Sequence, residues 1–131
     1  MSLRASEVFA PCRHRGKPER AVQKAILLWL RANGCLVAVT DAGAAYKAGA
    51  FIGDAVPPGW PDITGLLPDG RFIGVEVKAS ACPEQGRRGG RQSSVQQQME
   101  QEVRKRSGIY VLAHSVEDVQ REIEEAHARG L

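Results

Sequence analysis

Residues 59–78 read GWPDITGLLPDGRFIGVEVK. Two apolar runs, ITGLL (63–67) and RFIGVEVK (71–78), flank Pro68-Asp69-Gly70. Pro, Asp and Gly in that order suit a three-residue hairpin loop, a type I turn with Gly at the left-handed position. Leu67 then faces Arg71, and counting outward along the antiparallel pair sets Asp62 opposite Glu76. Directly opposed residues have Cβ atoms roughly 4.5–5.5 Å apart. Alternation puts Lys78 on the face of Glu76 and sends Val75 and Val77 to the other. Lys78 is the diagonal neighbour of Asp62, at roughly 7–8 Å. A slip of one residue would scatter the three across both faces, so the cluster depends on the loop length.

Two facing carboxylates repel and need a cation or a shared proton. A hard divalent ion such as magnesium takes oxygen ligands and keeps several waters. Such an ion eases deprotonation of water and neutralises charge on a phosphate. A lysine beside it can orient or deprotonate the attacking water, or bind the phosphate. Together these groups are equipment for in-line hydrolysis of a phosphodiester. A "VEVK" alternation alone is also how an ordinary half-exposed strand reads. Asp62 across the hairpin and the tight "PPGWPD" turn before it set this one apart.

Outward from the hairpin, residues 17–34 predict a helix. Pro18 suits its first turn, Asn33-Gly34 its stop, and Val22, Ile26, Trp29 and Leu30 form one stripe. Residues 35–40, CLVAVT, predict a strand. Residues 41–59 are rich in Gly and Ala without a clear period, and long loops of this kind are usually functional or mobile. Residues 79–92 form a polar, basic, glycine-rich loop. A helix follows over 93–107 with the stripe Val95, Met99 and Val103, then a strand over 109–114. Ser115 to Asp118 read as a capping box opening a last helix striped by Val116, Val119, Ile123 and Ala126. The order helix, three strands, helix, strand, helix (αβββαβα) predicts an α/β fold with a mixed central sheet flanked by helices. There is no internal repeat.

The chain has 131 residues, 43% hydrophobic and 25% charged, which is the size and balance of one globular domain. Residues 1–16 read as a flexible basic arm and 17–131 as the single domain. Cys12, Cys35 and Cys82 are odd in number and far apart, which argues against a disulfide framework and fits a reducing cytoplasm. With His14 they match no usual zinc spacing. The arm lacks an apolar core long enough for a signal peptide, and no run reaches the length of a membrane span. The net charge is +3, which permits nucleic acid as a partner without requiring it.

These residues resemble the PD-(D/E)xK nuclease superfamily, and within it the virus-type replication-repair nuclease (VRR-NUC) domains. The shared pattern is G-x-P-D at Gly59 to Asp62, a hairpin, and E-V-K at Glu76 to Lys78. It continues with an acidic residue opening the first helix (Glu19), a Gln near the start of the next (Gln96), and SGIYVLAHSVEDV after it. The resemblance spans about residues 19–125. It implies a restriction-endonuclease-like core and a magnesium-dependent endonuclease, with manganese substituting. It also implies a homodimer acting on branched DNA such as four-way junctions, leaving 5′-phosphates. The setting would be cytoplasmic, bacterial or phage-encoded. Asp62, Glu76 and the Val77 carbonyl would be metal ligands, Lys78 would serve the water, Glu19 would hold a second metal or its waters, and Gln96 would position Lys78 or substrate. The basic loop before Gln96 is longer than is common in the family, which leaves Gln97 and Gln98 as alternatives.

Glu19 otherwise suits a helix first turn, yet it falls in line with Val22 and Ile26, so burial beside the site is expected. Ser93-x-x-Gln96 is also a capping box, a role compatible with catalysis. Arg13, Arg15, Arg87, Arg88 and Arg91, with Lys47 on the long loop, are the candidate DNA contacts, since glycines among arginines let the chain follow a phosphate backbone. A solubilising surface is the plain alternative. Two rivals to the structure-selective enzyme are a non-catalytic nucleic-acid-binding module on the same fold and a restriction-type endonuclease. A chain this short leaves little room for the separate recognition domain of the latter.

Overall fold

The computed structural model describes residues 18–40, 46–47, 50–51, 56–79 and 90–130. Its elements are α1 (Pro18–Ala32), β1 (Leu36–Val39), β2 (Tyr46–Lys47), β3 (Ala50–Phe51), β4 (Ile63–Leu66), β5 (Phe72–Val77), α2 (Ser94–Lys105), β6 (Ile109–Ala113) and α3 (Val116–Ala128). β1, β4, β5 and β6 form one mixed sheet in that spatial order. The first two pairings are antiparallel and β5 with β6 is parallel, reached through α2.

The hairpin has the expected register, with Ile63 opposite Val75 and Leu66 opposite Phe72. Leu67 N–H donates to Arg71 O at 2.8 Å and Gly70 N–H to Leu67 O at 2.9 Å. Gly70 takes φ +88°, the left-handed position the loop requires. Asp69 completes the turn by accepting from Arg71 N–H at 3.0 Å.

β5 is one of the two inner strands and is buried on both faces. Its odd positions, Ile73, Val75 and Val77, join Ile63, Ile109, Val111 and Ala113 in the core. Ile26, Trp29 and Leu30 of α1 and Val116, Val119 and Ala126 of α3 cover that face. The even positions of β5 face the other way, the side on which α2 packs. Cys35 is a buried free thiol, and burial pushes its pKa up. Cys12 and Cys82 lie outside the described residues.

Three expectations are corrected. The stretch 41–59 contains a two-stranded ribbon, β2 with β3, where only a loop was expected. Val95 is 43% exposed and does not enter the core. It lies instead against the turn at Gly59, where an added Cβ would stand 2.8 Å from Val95 Cγ1. At α3, Ser115 caps Asp118 N–H as expected, but the Asp118 carboxylate accepts from His114 N–H at 2.8 Å rather than closing a box on Ser115. No helix among the described residues is long and apolar enough to cross a membrane.

Candidate active site

The site forms where β4 begins and β5 ends. Asp62 precedes β4 and is held from two sides. Its carbonyl accepts from Thr40 N–H at 2.7 Å, which carries the β1 ladder one pair further. Its carboxylate accepts from Val77 N–H at 2.8 Å. The turn before it is fixed by Gly59, at φ +80° against α2, and by Pro61, which lies on Gly74 so closely that a Cβ there would meet Pro61 Cγ at 2.8 Å.

Pro61 has a second effect. Leu67 and Arg71 form a hydrogen-bonded pair, and such pairs recur every second residue along an antiparallel ladder. The sequence of pairs reaches Val77 opposite Pro61. Proline has no N–H to give. The Val77 carbonyl therefore faces a ladder position without a donor, while its N–H goes to Asp62.

Glu76 is the one charged residue in the buried set among those described, at 4% exposed. The Asp62 carboxylate stands close enough for its charge to act on it. Glu76 Oε1 accepts from Gln96 Nε2 at 2.6 Å and lies 3.6 Å from Lys78 Nζ. Its Oε2 is buried without a hydrogen-bond partner. Burial first, and then the Asp62 charge, push the Glu76 carboxyl up to about 8. Burial also raises Asp62, opposed by the Val77 N–H and Lys78. Two carboxyls raised beside one another hold a proton more readily than either would alone.

Gln96 is the glutamine that reaches the site, while Gln97 and Gln98 are exposed. It closes the capping box as expected, and the group it reaches is Glu76 rather than Lys78. Its Oε1 accepts from Ser93 N–H at 2.9 Å, its backbone N–H donates to Ser93 Oγ at 3.2 Å, and its Nε2 is left to hold Glu76.

Glu19 is not buried as expected. It is exposed, with Val22 half-buried and Ile26 fully buried further along the stripe, because the first turn of α1 runs past the packed layer. Its charge still reaches Asp62 and raises it, as the weakest of the influences there. Among the described residues no group of three or more His, Cys, Asp or Glu is assembled that could hold a metal. The oxygens at this end of the hairpin are those of the Asp62 and Glu76 carboxyls and the Val77 carbonyl.

Arg91 is exposed, one residue beyond Gly90, where a Cβ would meet Lys78 Cβ at 3.0 Å. Arg13, Arg15, Arg87 and Arg88 lie outside the described residues, as does the side chain of Lys47 on β2.

The sequence reading missed several neighbours. His114 Nε2 lies 2.8 Å from Gly90 O and so ties the returning chain down beside Lys78. Tyr110, fully buried opposite Gly74, lies near Gln92, and burial pushes its hydroxyl up to about 12. Gln92 in turn donates to Glu100 at 3.0 Å. Extending the pairing arithmetic across the parallel β5–β6 pair would have placed Tyr110 and His114 on this face.

No family model matches the chain, and no curated protein or solved structure is significantly similar to it. The resemblance to VRR-NUC domains rests on the motif residues alone.

Proposed function

We propose that the chain is a metal-dependent nuclease built on a restriction-endonuclease-like core, hydrolysing phosphodiesters in branched DNA as a homodimer. The observation that carries the chemistry is Asp62 facing buried Glu76, whose Oε2 has no donor, with Lys78 Nζ 3.6 Å from its Oε1. The residues suit a hard divalent cation, magnesium or manganese. Once ionised, both carboxylates have no proton to donate and only accept, and the Val77 carbonyl faces a position that cannot donate to it. A bound cation would neutralise charge on the phosphate and ease loss of a proton from the attacking water. Gln96 holds Glu76 in one orientation, and α2 and Pro61 fix the frame. Lys78 presents a cation to a phosphate oxygen or orients the water. Glu19 enters through its charge on Asp62. The branched substrate, the two-fold dimer and the 5′-phosphate product come from the resemblance.

The test is a labelled four-way junction beside a matched linear duplex, with magnesium, manganese or EDTA, and with Lys78→Ala and Asp62→Ala. Junction cleavage is expected to need the metal and to fall by about a hundredfold or more in either variant. Binding of both DNAs without cleavage under any condition would replace the enzyme with a binding module.

A further inference from the structure

We propose that the groove beside the carboxylate site binds one unpaired nucleobase of the strand being cut; this rests on the nuclease reading and adds a substrate requirement to it. The groove holds about 300 Å³ and is walled by Trp60, Phe72, Met99 and Val103, with Glu102 and Arg106 at the rim. That is the lower end of the size at which a protein encloses a small planar ligand. Trp60 stands edge-on to Phe72, with ring centroids 5.9 Å apart and planes at 62°, so the two rings form a corner open to a third ring.

Position links the groove to the chemistry. Phe72, Gly74 and Glu76 alternate on one face of β5, and Trp60 is two residues before Asp62. Four residues of strand span about 13 Å. A nucleic-acid strand covers that in about four nucleotides at duplex spacing, and in fewer when drawn out. Pro61, lying on Gly74, separates the two places without a wall of charge between them. At the rim, Arg106 pairs with Glu102 at 3.3 Å, and Lys105, next to it on α2 and outside the lining, reaches the same carboxylate at 3.7 Å; their side chains are 72% and 74% exposed. One net positive charge thus borders an apolar corner, which complements a base carried on a phosphate chain. A paired base cannot enter, so the occupant is unpaired. Stacking on aromatic rings tolerates any base, so the groove selects strand structure rather than sequence.

The experiment measures anisotropy of short labelled single strands, just long enough to cover site and groove, in EDTA so that nothing is cut. An abasic position is moved along the strand. One position is expected to weaken binding about tenfold, and the others less than twofold. That penalty should vanish in Trp60→Ala and persist in Trp60→Phe. Met99→Glu, which leaves Trp60 in place, should also erase it if Trp60→Ala loosens the fold. Equal penalties at every position, or a penalty unchanged in the variants, overturn the groove. Cleavage that depends on metal and Lys78 but ignores the abasic position overturns the groove and leaves the nuclease standing. A position-dependent penalty without any cleavage keeps the groove and removes the nuclease.

Discussion

At the scale of single residues, Glu76 sets the behaviour of the site. Its carboxyl sits at about 8 in the fold, against 4.5 when free. Between those values the folded chain keeps a proton that the unfolded chain has released. Stability is therefore fully present below about pH 4.5 and declines as pH rises towards 8. Asp62 is raised as well and adds in the same direction. Without metal, the melting temperature is expected to rise by about 5 °C or more from pH 8 to pH 5. Glu76→Gln keeps an acceptor for Gln96 and should flatten that slope; equal slopes in both proteins would show that Glu76 is not the source. Adding magnesium at pH 8 should raise the melting temperature of the wild type and not of Asp62→Ala. The pairing of Asp62 with Glu76 was legible because it follows from loop length and the period of a strand. The exposure of Glu19 was not, because helical spacing gives direction around an axis but not where the packed layer ends.

At the scale of elements, the hairpin and the parallel strand β6 that returns through α2 came from local patterns. The ribbon of β2 and β3 did not, since Tyr46-Lys47 and Ala50-Phe51 are too short to show alternation. Val95 was misplaced for a related reason: a stripe names a helix face but not whether core or a neighbouring turn meets it. The join of β1 to β4 depends on Gly65. A Cβ there would stand 2.0 Å from Leu36 O and 2.7 Å from Val37 Cα. Gly65→Ala must push β1 away from β4, and with it the Thr40 bond that holds Asp62. A loss of about 3 kcal/mol or more in chemical denaturation is expected, with reduced metal-induced stabilisation. Wild-type stability in this variant would mean that the two strands shift freely.

At the scale of the whole molecule, β1 is a sheet edge, and Leu36 on it is 76% exposed beside Leu66 at 42%. Arg31 covers part of that edge, donating from Nε and Nη2 to Val37 O at 3.3 and 3.1 Å. Edges left bare invite pairing between chains. Arg31→Ala should cost only about 1 kcal/mol in stability, yet produce concentration-dependent higher association in light scattering. Unchanged scattering would show the edge needs no guard. The imino nitrogen of Pro61 has a consequence of another kind. An amide there would give the Val77 carbonyl a hydrogen bond and mend the ladder, at the loss of the buried ring that lies on Gly74. On the nuclease reading, chains that share this hairpin should divide at that one letter, those with proline cutting DNA and those without it leaving it whole.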